Sequence, residues 1–173
     1  EEVFGVVPDI ITVAKGITSG YVPLGAVLIS ERLIKEVGGE PDRGASFANG
    51  FTYSGHPVAC AAALANLDVI EKGQMLENAR KVGAYLQQKL RELIDLPMVG
   101  DVRGLGLMGC LECVVSKESR QPLELDYDVG KRIDSHCQAL GLLLCPLINM
   151  CVVSPPIIIS REQIDQMLGI LRV

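Results

Sequence analysis

The residue whose type and setting could do chemistry is Lys15. In "PDIITVAKGITSGYVPLGAVLIS" (8–30) a single primary amine ends an apolar, β-branched run and is followed at once by glycine. Two readings fit it. A lysine at the end of a strand commonly lays its stem over apolar neighbours and keeps its ammonium in water. The same residue in an apolar site has its ammonium disfavoured by desolvation, and the freed amine becomes a nucleophile able to form a Schiff base. Composition and spacing do not choose between the two. Other candidates are weaker. Cys110 and Cys113 form a CxxC, but "GLGLMGCLECVVS" reads as a strand, in which residues three apart face opposite sides, and metal or redox pairs usually sit at turns. His56 belongs to a turn before a helix and His136 to an ordinary helix, and neither has a triad or metal partner in view.

The elements that must position Lys15 are short. "DIITVA" (9–14) and "PLGAVLIS" (23–30) read as buried strands of a sheet covered on both faces, joined by the turn-rich "KGITSGY". Ser30 can cap a short helix from Glu31 to Val37, ended by Gly38 and Gly39. Residues 38–56, "GGEPDRGASFANGFTYSGH", form a loop without apolar period, and loops of that length are usually functional or disordered. A helix follows, with His56 before it and Pro57 in its first turn. A longer helix is predicted from Gln74 to Asp95, with Leu76, Ala79, Val82, Leu86, Leu90 and Leu93 on one stripe. Strands are expected near 98–103, 105–115, 142–146 and 150–154, with a polar loop at 116–127 and a helix at 128–140 between the two pairs. The last helix opens at "SREQ", where Ser160 and Gln163 have capping-box spacing. The expected division is a part of a larger α/β domain over 1–72, a connecting helix over 73–96 and a small α+β domain over 97–173. The chain has no start methionine and its first apolar run has no earlier element to pair with, which suggests a fragment of something longer.

Composition narrows the function classes. Hydrophobic residues at 49% and charged ones at 21% give a core-forming balance. A net charge of -5, three Phe, four Tyr and no Trp make a nucleic-acid surface a poor expectation. No apolar run reaches the roughly 18–20 residues that span a bilayer, so a soluble, cytoplasmic protein is expected, without membrane association. The six cysteines lie in apolar surroundings and read as reduced.

Taken with "NGFTYSGHPVACAAALANLDVIE", "DVRGLGLMGCLE" and "VSPPIIISREQID" in that order, the Lys15 segment resembles the class III aminotransferases, the pyridoxal-phosphate enzymes that include the omega-transaminases. The resemblance covers essentially the whole chain. It implies an α/β fold of fold type I, the PLP-dependent transferase fold: part of a large domain with a mostly parallel sheet, plus a smaller α+β C-terminal domain. It implies that Lys15 is the catalytic lysine, forming the Schiff base with pyridoxal 5'-phosphate and shuttling a proton once displaced. Thr52 matches the threonine that binds the cofactor phosphate from the neighbouring subunit, which implies a homodimer. Arg103 matches a small-domain motif, where a guanidinium either holds a substrate carboxylate or staples the two domains together. Tyr21, six residues beyond Lys15 in a loop, is expected to line the substrate site. The activity implied is ping-pong transamination from an amine or omega-amino acid to a pyruvate-like keto acid, without a metal. An aminomutase, a decarboxylating transaminase, or a catalytically silent fragment acting only in dimerisation are the alternatives.

Two departures matter. Many relatives place an arginine shortly before the "PP" of the small domain to grip a carboxylate, whereas "LLLCPLINMCVVSPP" offers Cys145 and Cys151. A thiol has no bidentate charged fork, so amines or omega-amino compounds are expected as donors. The family's acidic partner for the pyridine nitrogen, its ring stacker and its first phosphate loop would lie upstream of residue 1, so this chain alone is expected to be inactive.

Overall fold

The apolar runs around Lys15 form one antiparallel pair. In the computed structural model, which describes residues 3–38, 49–118, 121–122 and 127–173, β1 (Ile10–Ala14) pairs with β2 (Gly25–Ile29) from Ile10 opposite Ile29 to Ala14 opposite Gly25. The expected burial on both faces is not met. Ile10, Ile11, Val27 and Leu28 are all exposed, because β1 and β2 pair only with each other and the described residues bring little to cover them. The apolar composition reports what the strands are suited to bury. All strand pairs among the described residues are antiparallel. Ser30 opens α1 (Glu31–Gly38): its hydroxyl accepts from the Leu33 N–H at 3.4 Å and donates to Asp9, which Arg32 also holds at 2.6 Å. Helix α2 (Pro57–Lys72) starts with proline where its missing N–H costs nothing, and it packs on the turn that follows β1. These elements lie in the first of two compact units, Glu1–Gly73; Gln74–Val173 form the second.

The second unit holds a well-packed core. Helix α3 (Met75–Arg91) continues as a 3-10 turn (Glu92–Asp95), and Val82, Leu86, Leu90 and Leu93 of the expected stripe are buried, whereas Leu76 at its start is exposed. The helix groups with the residues after it, since its stripe faces a sheet of this unit. That sheet has β4 (Met108–Ser116) at its centre, paired with β3 (Val99–Leu105), with the short β5 (Gln121–Pro122) and with β6 (Met150–Val153). Between them runs α4 (Tyr127–Ala139). Leu86, Leu90, Leu93 and Ile164 are fully buried, each side chain stabilising the fold by roughly 1.5–3 kcal/mol relative to exposure. Ile164 comes from α5 (Arg161–Leu171), which begins with the expected capping box: Ser160 Oγ accepts from the Gln163 N–H and Gln163 Oε1 from the Ser160 N–H.

One expected strand is absent as a strand. Residues 142–146 make no ladder, although Leu142 and Leu144 pack against the core while Leu143 and Cys145 are exposed. The alternation was correct and the pairing was not: Pro146 has no N–H to give, and the chain reverses at once, with Leu147 and Met150 exchanging backbone hydrogen bonds and Ile148 at φ +59°. Of the loops, residues 39–48 and 119–120 with 123–126 lie outside the described residues.

Candidate active site

Strand β1 ends at Ala14, and Lys15 begins a single 3-10 turn, Lys15–Thr18, in the left-handed region at φ +51°. A non-glycine residue there is strained by about 1 kcal/mol or more, so the surroundings must hold it. They do so with a set of short-range bonds. Ser19 N–H donates to the Gly16 carbonyl at 3.1 Å, Gly20 N–H to the Lys15 carbonyl at 3.3 Å, and Tyr21 N–H to the Thr18 carbonyl at 3.1 Å. Thr18, only 2% exposed, donates its hydroxyl to the Val22 carbonyl at 2.6 Å. From α2, the Asn66 amide donates to the Gly16 carbonyl at 2.9 Å and the Ile17 carbonyl at 3.1 Å. Two such bonds contribute about 1 kcal/mol each, comparable with the strain they oppose.

The side chain of Lys15 itself is exposed and makes no ion pair or hydrogen bond among the described residues. Lys35, Lys72, Lys81 and Lys89 differ, each pairing with a carboxylate a turn away. Beside Lys15 the backbone is bare: a Cβ at Gly16 or Gly20 would meet nothing within 4 Å. An unpaired amine next to open glycine backbone fits a flat, aldehyde-bearing cofactor.

Thr52 lies in the turn before α2, which is closed by the Phe51 N–H donating to Ser54 Oγ at 2.9 Å and the Ser54 N–H donating to the Phe51 carbonyl at 2.9 Å, with Gly55 at φ +71°. It is exposed, and its hydroxyl has no partner among the described residues, as a phosphate donor requires. Helix α2 thus links the Thr52 turn, at its N-terminus, with the Lys15 turn that Asn66 holds. Tyr21 stands 88% exposed at the end of the Lys15 turn.

Arg103 belongs to the second unit and is already engaged. Its Nη1 donates to Asp101 at 2.8 Å and to Glu112 across the β3–β4 ladder, and Nη2 lies 3.5 Å from Met150 Sδ. These hydrogen bonds, to Asp101 and then Glu112, raise its pKa further. The guanidinium staples the sheet. The CxxC pair lies on β4 as expected, with Cys113 buried and Cys110 half-buried on the opposite face. Of the two cysteines in the segment before Pro155 and Pro156, Cys151 points into the core, and burial, with Cys137 the first of its neighbouring thiols, pushes it up to about 12. Cys145 is exposed and lines a groove of about 840 Å³ with Pro155, Pro156, Gln166 and Ile170. Only Cys145 is placed to meet a ligand.

Sequence reasoning did not find Asn66 or Thr18. A signal for Asn66 existed: it shares a helical face with the buried Ala59 and Ala63, a lone amide in an alanine-rich stripe.

Comparison with known proteins gives the family. The family model for aminotransferase class-III matches residues 1–173. An uncharacterised aminotransferase of Sinorhizobium fredii is 40% identical over 96% of this chain and 36% of its own length. A putrescine–pyruvate aminotransferase of Pseudomonas aeruginosa is 36% identical over 98% of this chain, again 36% of its own length. Among solved structures, a PLP-bound amine transaminase from an uncultivated Pseudomonas species superposes with a TM-score of 0.90 at 41% identity, covering 99% of this chain and 39% of that one. The chain therefore spans about a third of the length of the curated relatives it matches.

Proposed function

The chain belongs to the class III aminotransferases, with the fold of part of a fold type I transaminase, and on that premise we propose that it is the C-terminal part of a pyridoxal-phosphate-dependent transaminase. Its reaction moves an amino group from an amine or omega-amino acid to a pyruvate-like keto acid in a ping-pong cycle. The observation that carries this reading is the unpaired, exposed amine of Lys15 on a turn braced against α2.

When bound, pyridoxal phosphate supplies an aldehyde that condenses with amines and a ring that accepts the electrons left by a departing proton. The residues of this chain supply part of the rest. Lys15 Nζ would hold the cofactor between cycles and, once released, would take the proton from the carbon that bears the substrate amine. A mobile primary amine suits both tasks, because it is a leaving group first and a base afterwards. The free Thr52 hydroxyl would donate to the phosphate of the cofactor held by a neighbouring subunit, which would make the working unit a homodimer. Tyr21 lines the substrate side, and Arg103 serves the sheet. With Cys145 in place of a guanidinium, donors without an alpha-carboxylate fit better. The exposed apolar faces of β1 and β2 are covered by the remainder of the full-length enzyme, which also completes the cofactor site; we divide the chain at 1–72, 73–96 and 97–173, with the helix of 73–96 packed into the same compact unit as 97–173. No helix of the described residues is long and apolar enough to cross a membrane, and a cytoplasmic setting completes the proposal.

A half-reaction test decides the activity. With the full-length enzyme, an amine donor alone should bleach the visible band of the bound cofactor, and pyruvate alone should then restore it. Carbon dioxide release matching amine consumption, or a band that pyruvate does not restore, would overturn the transaminase reading.

A further inference from the structure

We propose that Asn66 is a positioning residue for Lys15: its amide fixes the turn that presents the amine, and so tunes the chemistry without touching the reacting atoms. The inference rests on the reading of Lys15 as the cofactor-holding lysine.

The geometry is specific. Both amide N–H groups of Asn66 are used, one on the Gly16 carbonyl at 2.9 Å and one on the Ile17 carbonyl at 3.1 Å, from a helix about fifty residues further along the chain. Those two carbonyls set the Gly16–Ile17 and Ile17–Thr18 peptide planes, one residue beyond Lys15, and Gly16 is the residue best able to let them rotate. Lys15 stands in a left-handed conformation at φ +51° and Ser19 in another at φ +51°, so the turn has a stored tendency to relax. The Lys15 carbonyl itself is held from within the turn, by the Ser19 N–H and by the Gly20 N–H at 3.3 Å, the longest of the set. Tying the two intervening carbonyls to a rigid helix blocks that relaxation. Serine offers one donor and alanine none, so the clamp can be removed in two grades.

The experiment uses the full-length enzyme with bound pyridoxal phosphate and compares wild type with Asn66→Ser, Asn66→Ala and Lys15→Ala. The readouts are the pH titration of the visible band and the half-reaction rate with an amine donor. For Asn66→Ala the titration midpoint should move by about half a unit or more, and the half-reaction rate should fall about tenfold or more with KM changed less than about twofold, as misplacement of a reacting group predicts. Asn66→Ser should fall between the two. A titration midpoint and rate equal to wild type in either variant overturns the proposal. Loss of soluble protein in both assigns Asn66 to folding alone and overturns it as well. If Lys15→Ala abolishes the band while the Asn66 variants behave as wild type, only the positioning role fails; if Lys15→Ala keeps the band, the reading of Lys15 fails and this inference with it.

Discussion

Replacing Lys15 with alanine in the full-length enzyme is expected to abolish the visible band of the bound cofactor and to lower transamination by about a thousandfold or more, the range that loss of a positioned proton-transfer group gives. Alanine keeps the backbone but not the amine, so it removes the group that holds the cofactor and the base in one step. The fold should survive. The Lys15 side chain makes no contact that braces the described residues, and the turn is held by Asn66, Thr18 and backbone bonds that do not involve it. An unchanged thermal midpoint of the apoenzyme alongside a lost band would separate the chemical role from a structural one. Alanine is no better than lysine at φ +51°, so no relief of strain should complicate the comparison.

The second large effect concerns stability and turns on two glycines. Gly83 lies inside α3, where alanine would normally stabilise by about 0.5–1 kcal/mol. Here the sign reverses. A Cβ at Gly83 would sit 2.7 Å from the Gly106 carbonyl carbon and 2.9 Å from its Cα, and both are backbone atoms of the β3–β4 turn. Gln87 pins that turn through the carbonyls of Gly106 and Met108, so it has little room to move away from the helix. Separating helix and turn would also open the core around Leu86 and Leu90. Gly83→Ala should therefore destabilise by about 2–3 kcal/mol, as overpacking of a tight contact does. Gly169, inside α5, has nothing within 4 Å of its would-be Cβ, and Gly169→Ala should stabilise by about 0.5–1 kcal/mol. Chemical denaturation of the full-length enzyme carrying each change checks the pair; equal signs would contradict the close approach of α3 to the turn.

Local signals carried much of this structure. The Ser160–Gln163 capping box, Pro57 at the start of α2 and the stripe through Val82, Leu86, Leu90 and Leu93 each depend on neighbours within a turn or two, and all appear where the residues place them. What depends on distant partners was not legible. Residues 142–146 alternate like a strand, yet they join no ladder: Pro146 has no N–H to give and the chain reverses at Leu147. The apolar runs of β1 and β2 indicate surface meant for cover, but not which residues provide it. Lys15 shows the limit most clearly. Its own neighbours left both surface lysine and nucleophile open, with the surface reading the commoner one, and only the ordered company of the later motifs chose between them. The clamp that makes its position meaningful comes from Asn66, fifty residues away, which no local period can announce.

The central claim is that the amine of Lys15 holds the cofactor. Borohydride reduction of the full-length enzyme with bound pyridoxal phosphate, followed by proteolysis and peptide mass spectrometry, tests it directly. The account predicts a pyridoxyl adduct on the peptide containing "VAKGITSGY", with the modification on Lys15. An adduct on a different lysine, or none at all on a preparation that shows the visible band, would contradict it.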